Sequence, residues 1–283
     1  MDTFSPELIA FLSHSVFASL HPLQTSGTAN HIYQAGSFLV RKKIADQTDA
    51  PFQTPKTEKA FYDCLGWRNP LTPELFFFDD GNGDKVEAYI DANPWNPQDE
   101  KHLSQLAETL RSVHANQGDE SIPNFSAISR YFHYKNLAKT ELSSEKEQQI
   151  LTLVSPLFEE GASTCLCHND LWAGNMIVTP KRLYLLDLEF AMKNHPFFDL
   201  ASVIEENRLS TIEKGHFLCY YFGREPSVEE NFQIQTLVCF HHMLWYYWAL
   251  SRYHETSQSV FNDIAAIKKT DFENEGLPCF PAR

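Results

Sequence analysis

The sequence predicts an α+β fold in two lobes, a small β-rich lobe over residues 1–92 and a larger helical lobe over residues 93–283. Three observations support this prediction. The first third of the chain carries short β-branched and aromatic runs joined by Gly- and Asp-containing turns, a pattern typical of hairpins. Residues 92–97 contain two prolines and interrupt it. Beyond them, apolar residues recur mainly with the helical period of 3.6.

The first lobe combines strands with two helices. The spacing of apolar side chains predicts helices over residues 7–20 and 57–65. The strands are predicted within residues 31–41, 74–78 and 85–91. The polar turn between the last two segments, Asp-Asp-Gly-Asn-Gly-Asp, closes a hairpin.

The second lobe is mainly helical and carries one polar hairpin. Its helices are predicted over residues 99–114, 126–138 and 143–159, and over most of the chain from residue 196 onward. The hairpin is predicted from residues 176–178 and 183–186, which flank the turn Thr-Pro-Lys-Arg.

The composition excludes several classes of protein. With 43% hydrophobic and 21% charged residues, the chain can bury an ordinary core and is not of the disordered type. Its net charge of −14 argues against a nucleic-acid partner, since polyanions are repelled. We find no window with the roughly 18 apolar residues of a membrane span and no signal peptide at the N-terminus. Six cysteines without regular spacing fit reduced thiols, so we expect a cytoplasmic protein with no membrane partner.

The strongest chemical signal joins His168, Asp170 and Asn175 to Asp187, which follows twelve residues after Asn175. Asp170 lies on a loop that enters the hairpin, where its carboxylate can accept a proton from a substrate hydroxyl. Asn175 begins one strand and Asp187 ends its partner, so the hairpin brings their oxygens to one end. Such oxygens are the ligands that Mg²⁺ prefers. Together these groups supply what phosphoryl transfer requires, and His168 can brace the loop through backbone hydrogen bonds.

These residues resemble the signature of the aminoglycoside phosphotransferase and choline kinase superfamily. Within it, residues 167–171 (CHNDL), 187–191 (DLEFA) and 198–201 (FDLA) are similar to the choline/ethanolamine kinase branch. The resemblance implies a two-lobe protein-kinase-like fold that uses ATP and Mg²⁺.

The same resemblance assigns roles to individual residues. It implies that Asp170 is the catalytic base, with His168 beside it in the catalytic loop. It further implies that Asn175 and Asp187 are magnesium ligands, and that Glu189 assists the metal or the substrate.

The resemblance also implies nucleotide-binding residues in the first lobe. Residues 26–30 fall where the family has a nucleotide-covering turn, although this chain has a single glycine there. Arg41 falls where a basic residue contacts the ATP phosphates, and Glu58 would be its ion-pair partner. The segment from Glu87 to Ile90 would form the hinge strand whose backbone faces adenine.

The acceptor is predicted from the last helices. Trp245 and Trp248 lie one helical turn apart, so their rings can form one wall of a pocket. Aromatic walls hold quaternary ammonium groups by cation–π attraction, and choline kinases have a similar Trp-rich helix. Glu205 and Glu206 fall in the stretch that matches a pocket carboxylate, Glu206 in the better register. We therefore expect a small cationic alcohol as substrate: choline first, then ethanolamine or thiamine.

Several alternatives stay open at this point. Trp245 and Trp248 can be ordinary core residues. The acceptor can be an aminoglycoside or another small molecule, and the lack of a Gly-rich turn leaves room for a non-catalytic nucleotide-binding module. The sequence does not indicate an oligomeric state.

Overall fold

The computed structural model describes residues 4–14, 20–23, 30–44, 52–159 and 161–278. Within these ranges the chain forms a β-rich first lobe and a helical second lobe, as the sequence predicts. The nucleotide-covering turn expected at residues 26–30 lies outside the described residues, apart from Asn30. Residues 15–19 of the first predicted helix also lie outside them.

In its described residues, the first lobe contains a five-stranded antiparallel sheet and two helices. Its strands are β1 (His21–Leu23), β2 (Asn30–Ala35), β3 (Phe38–Lys43), β4 (Leu75–Phe78) and β5 (Lys85–Ala88), and its helices are α1 (Pro6–His14) and α2 (Pro55–Leu65). The strand order is β1-β2-β3-β5-β4. Strands β3 and β5 are therefore interior neighbours, and residues on their shared face can meet α2.

The alternation of side chains along β3 separates a small core from a charged face. Val40 pairs with Val86 of β5, and both pack in an apolar cluster with Leu8 of α1. The next residue, Arg41, pairs with Lys85 and therefore points to the opposite face. That face meets α2, where the predicted ion-pair partner of Arg41 lies.

Helix α2 begins two residues before its predicted start because of its cap. The side chain of Thr54 accepts a hydrogen bond from the Thr57 backbone N–H at 3.2 Å, and Pro55 occupies the first helical position. Proline is favoured there because its missing N–H has no partner within the helix in any case. The cap places Glu58 in the first turn, directed at β3.

The second lobe surrounds one long helix. Its helices are α3 (Glu100–His114), α4 (Ala127–Ala138), α5 (Ser144–Val154), α6 (Pro196–Glu206), α7 (Thr211–Phe222), α8 (Val228–Thr256) and α9 (Ser259–Asn274). Helix α8 contacts α4, α5, α6 and α9, and most of its middle is buried. Among the described helices, none combines the length and apolar character that a membrane span requires.

Two short sheets lie between the helices and position the polar loops. Their strands are β6 (Asn93–Pro94), β7 (Cys165–Cys167), β8 (Met176–Val178), β9 (Leu183–Leu185) and β10 (Met192–Asn194). Strands β6, β8 and β9 form one sheet, and β7 pairs with β10. The proline-containing segment at residues 92–97 thus contributes a two-residue strand that pairs with β8. The lobe boundary between residues 92 and 93 stays a prediction.

The predicted helix over residues 143–159 is wrong at its C-terminal end. Helix α5 ends at Val154 and passes into a 3-10 turn over Ser155–Phe158. Pro156 explains the change, since proline has no backbone N–H with which to continue an α-helix.

Candidate active site

The β8–β9 hairpin brings Asn175 and Asp187 to the same end, as predicted. Asn175 ends a 3-10 turn directly before β8, and the Leu186 N–H donates to the Asn175 carbonyl at 2.9 Å. Asp187 follows with a left-handed backbone (φ 55°), which turns the chain away from the strand. The side-chain amide of Asn175 donates to Asp170 Oδ2 at 2.8 Å. Asn175 and Asp170 are therefore joined by a direct hydrogen bond, and Asp187 follows the residue that is bonded to Asn175.

The loop that carries Asp170 is held by its backbone and by buried side chains. The His168 ring Nε2 lies 2.8 Å from the Leu186 carbonyl, and the Leu171 N–H donates to Ser202 Oγ at 2.9 Å. Asn169 has a left-handed backbone (φ 67°), and its side-chain amide donates to the Phe190 carbonyl at 2.9 Å. His168 braces the loop as the sequence predicts.

Asp199, in the first turn of α6, anchors this loop and was not predicted as a site residue. It accepts hydrogen bonds from the backbone N–H groups of His168 at 2.8 Å and Asn169 at 2.7 Å. The His114 ring lies 3.0 Å from the same carboxylate. Burial alone would raise the pKa of Asp199, but the hydrogen bond from His114 and the nearby histidine charges hold it below its usual value. The sequence signal was the FDLA run at residues 198–201, which carries part of the family resemblance but does not indicate what Asp199 contacts.

Arg41 connects the two lobes. Its guanidinium donates to Glu58 Oε2 at 2.6 Å, which confirms the predicted ion pair, and to Asp187 Oδ1 at 2.8 Å. It also donates to the carbonyl of Gly83, whose φ of 86° suits glycine, at 3.2 Å. Burial alone would raise the pKa of Glu58, yet the charges of Arg41 and Lys85 lower it to about 2. The pair is therefore ionised at neutral pH.

Two lysines that the sequence did not single out complete the charged face. Lys43 Nζ lies 3.2 Å from Glu189 Oε2, and Lys85 Nζ lies 3.0 Å from Glu87 and 3.3 Å from Glu58. The alternation of side chains along the strands could have indicated both lysines, because they point to the same side of the sheet as Arg41. Salt bridges buried to this degree persist only when each charge is paired.

The predicted hinge segment lines the cavity, but parts of it are already occupied. The Glu87 carboxylate is buried, accepts a hydrogen bond from the Tyr62 hydroxyl at 2.6 Å and lies 3.0 Å from Lys85 Nζ. The Ala88 and Tyr89 N–H groups donate to carbonyls of the first lobe. Among the predicted residues, Ile90 thus stays the candidate for a backbone contact with adenine.

A cavity of about 860 Å³ extends from this face to the last two helices. Its lining includes Leu39 and Ile90 from the first lobe, Asp170 in the loop before the β8–β9 hairpin, and Trp245 and Lys268 from α8 and α9. Its volume lies in the upper part of the usual range for ligand sites. A nucleotide and a small acceptor can therefore share it.

The aromatic wall is formed mainly by Trp248. Its side chain is half-buried, and its ring lies 5.6 Å from the Phe261 ring and 5.7 Å from the Trp245 ring. Trp245 is only 6% exposed, packs edge-on against Phe190 at 5.5 Å, and donates from its indole N–H to His241 at 3.2 Å. Trp245 therefore belongs largely to the core and reaches the cavity with one edge.

The predicted carboxylates of the acceptor end are paired with Lys268 of α9. Lys268 Nζ lies 2.6 Å from Glu205 and 2.8 Å from Glu206. Glu205 also contacts His242 Nδ1 at 3.0 Å. Burial and the charge of Glu205 raise the pKa of Glu206 to about 8. Sequence reasoning missed Lys268, which lies 63 residues from Glu205 along the chain.

The oxygen donors suit a magnesium ion. Asn175 spends its side-chain N–H on Asp170, which leaves its Oδ1 free to face a metal. Asp187 and Glu189 lie close enough that burial and the Asp187 charge raise the pKa of Glu189 to about 7. A divalent cation would relieve this repulsion, and amide and carboxylate oxygens are its preferred ligands. The residues present therefore fit the predicted ion.

Comparison with known proteins identifies the family of the chain. The profile of the phosphotransferase enzyme family (APH) matches residues 43–225, more than half of the chain. The chain belongs to this family, and its predicted relationship is thereby confirmed.

Individual relatives and solved structures resemble the chain over most of its length. Protein LicA of Haemophilus influenzae is 26% identical over 230 residues, which are 75% of this chain and 84% of LicA. Choline kinase LicA from Streptococcus pneumoniae has a TM-score of 0.77 at 20% identity, over 95% of this chain and 96% of its own. A choline/ethanolamine kinase family protein from Mesorhizobium loti has a TM-score of 0.77 at 20% identity, over 94% of this chain and 91% of its own. These structures confirm the predicted α+β, two-lobe kinase-like fold.

Proposed function

We propose that this protein uses ATP and magnesium to phosphorylate the primary hydroxyl of a small cationic alcohol, choline first, with ethanolamine and thiamine as the nearest alternatives. One observation carries the proposal: the same cavity holds Asp170, the cationic face around Arg41, and the aromatic wall around Trp248. A phosphate donor and a cationic acceptor would each find complementary groups on either side of one carboxylate. The relatives named as choline kinases support this choice.

Asp170 would orient the acceptor hydroxyl and receive its proton. Burial, together with the charge of Asp187, raises the pKa of Asp170 to about 6, so the carboxylate is mostly ionised at neutral pH. The amide of Asn175 fixes Oδ2, which leaves the other oxygen for the acceptor. A base with a pKa near the working pH is suited to this task.

The nucleotide phosphates would lie beside Arg41 and Lys43. Both side chains are buried and are held in place by carboxylates, so little reorganisation is needed when phosphate arrives. Asn175, Asp187 and Glu189 would hold magnesium. When bound, the ion would neutralise charge on the transferred phosphoryl group.

The acceptor's cationic group would lie against the Trp248 ring and near Glu206. A cation–π contact contributes roughly 0.5–2 kcal/mol, more when water is excluded. Glu206 is the more exposed of the two adjacent carboxylates, with 18% of its side chain accessible against 2% for Glu205. It is therefore the carboxylate that an acceptor can reach.

The test is magnesium-dependent ADP release across a panel of choline, ethanolamine, thiamine, an aminoglycoside and a fructosamine. We expect a strong response to one small cationic alcohol and none with the Asp170→Asn protein. Asp263→Asn, an exposed change on α9, serves as the matched control and should behave as the unmodified protein. ATP binding without release for any acceptor would contradict the proposal and favour a nucleotide-binding module. A response to the aminoglycoside alone would replace the acceptor class.

A further inference from the structure

The acceptor end of the cavity carries its own positive charges. Among the described residues that line this end, three are acidic, Glu205, Glu206 and Asp271, and three are basic, Arg208, Arg252 and Lys268. Asp271 is paired with Arg208 at 2.7 Å. The local charge is therefore close to balance, although the whole chain carries −14.

Lys268 is placed where a cation between the two glutamates would be expected. Its ammonium lies 2.6 Å from Glu205 Oε1 and 2.8 Å from Glu206 Oε1, and its side chain is 8% exposed. Adjacent carboxylates repel each other unless a positive charge lies between them. A lysine buried to this degree needs such partners in turn, because an unpaired buried ammonium is strongly unfavourable.

The two carboxylates are not equivalent. Glu205 is held by Lys268 and by His242, and burial is more than offset by these contacts, so that its pKa lies below its usual value. Glu206 keeps a raised pKa of about 8, caused by burial and by Glu205. Without an acceptor, the two carboxylates share the single ammonium of Lys268, and Glu205 has His242 as a further partner. A single incoming cation can be matched by Glu206, whereas a second one meets Lys268.

We propose that Lys268 is a specificity-determining residue that restricts the acceptor to alcohols with one positive charge. The inference rests on the proposed function, in which this end of the cavity receives the acceptor's cationic group. Lys268 satisfies Glu205 from within the protein and leaves Glu206 as the one partly exposed carboxylate of the pair. Polycationic acceptors are excluded because no second carboxylate of this pair is available to them.

The test compares acceptors that differ in charge but not in shape. One is a choline derivative in which a methyl group is extended by a trimethylammonioethyl group, which gives two fixed charges. Its partner carries the carbon isostere of that group and has one charge. Lys268→Gln keeps a hydrogen-bond donor and removes the charge, while Lys268→Arg keeps the charge.

In the unmodified protein and in Lys268→Arg, we expect kcat/KM to favour the singly charged compound. In Lys268→Gln, the ratio should shift towards the doubly charged compound by at least about tenfold, the effect of one nearby charge at intermediate dielectric. Equal changes for both compounds would show that Lys268 acts structurally and would overturn the inference.

Two further measurements separate the possible failures. The Lys268→Gln/Glu205→Gln double variant removes both charges of the buried pair and should restore the preference for the singly charged compound. Because it leaves no unpaired buried charge, it can also be measured if the single variant folds poorly. Calorimetric binding of the two compounds needs no turnover, so it tests Lys268 even if the proposed reaction is wrong. If Lys268→Gln binds the doubly charged compound more tightly, and no acceptor of the panel is turned over by the unmodified protein, the inference would be supported and the proposed function refuted. No difference in binding between the unmodified protein and the variants would overturn the inference itself.

Discussion

Replacing Asp199 with Asn should loosen the catalytic loop and lower stability together. Its carboxylate is fully buried and accepts from the backbone N–H groups of His168 and Asn169, with the His114 ring as a third partner. An amide keeps one acceptor oxygen and turns an NH₂ group towards the remaining donors. Hydrogen bonds to a charged group contribute roughly 1.5–3 kcal/mol each, and breaking a buried charged pair costs about 3–5 kcal/mol. We therefore expect a loss of about 3–5 kcal/mol in the free energy of unfolding.

The assay combines urea unfolding with steady-state kinetics. A loss of this size corresponds to a fall in melting temperature of roughly 5–8 °C for a chain of this length. We expect kcat to fall by about 100-fold or more, because a small displacement of Asp170 disrupts the reacting geometry. The KM for ATP should change little, since Arg41 is held by other residues. Asp263→Asn is the control for an exposed Asp-to-Asn change.

The pH dependence of the free energy of unfolding shows whether the Asp199 carboxylate stabilises the fold. The pKa of Asp199 lies below its ordinary value of 3.8, so the carboxylate stabilises the fold above pH 3.8, and this stabilisation is lost as the pH falls through the folded-state pKa. The difference in stability between the two proteins should therefore be full at pH 7 and shrink in acid. A difference below about 1 kcal/mol at pH 7, or one that grows in acid, would refute the anchoring role of Asp199.

Three further predictions concern other residues of the cavity. Asp170→Asn should abolish turnover. In magnesium-free buffer at pH 7 it should also raise the free energy of unfolding by at most about 3 kcal/mol, because burial lifts the pKa of Asp170 to about 6 and the charged form therefore opposes folding. That gain should disappear below pH 3.8, where the carboxyl is protonated in both states; retained turnover would remove Asp170 as the base. Glu58→Gln should raise the KM for ATP by about tenfold, since Arg41 loses its charged partner, and an unchanged KM would exclude this pair from phosphate binding. Trp248→Ala should raise the acceptor KM by roughly tenfold with the KM for ATP unaltered, and equal shifts in both would place Trp248 outside the acceptor site.

The parts of the site that the sequence predicts are those fixed by local geometry. A hairpin of known length brings Asn175 and Asp187 to one end whatever surrounds it. The hairpin prediction needed only the period of the strands and the position of the turn. The Arg41–Glu58 pair, in contrast, was implied by the resemblance to the kinase superfamily, and the structure bears it out.

Contacts between elements that are distant along the chain could not be predicted from local sequence patterns. Asp199 lies 31 residues beyond His168, and the family-like run that contains it does not reveal its contact with the loop. The helical spacing of Trp245 and Trp248 indicates a shared face, yet it does not tell how deeply each ring is buried. Packing against Phe190 and His241 draws Trp245 into the core and leaves Trp248 at the cavity. Burial of this kind depends on the neighbours that tertiary packing provides.

The acceptor end shows why overall charge is a poor guide to a binding site. A net charge of −14 predicts attraction of cations to the protein as a whole. Within the cavity, however, α9 returns Lys268 to the two glutamates at the end of α6, and this single contact changes the charge that an acceptor meets. Long-range fields are screened within about 8–10 Å at physiological salt, whereas a contact below 3 Å in a buried site is not. Under the proposed function, acceptor choice depends on the local charge balance around Glu206, which the contact of Lys268 with the two glutamates sets.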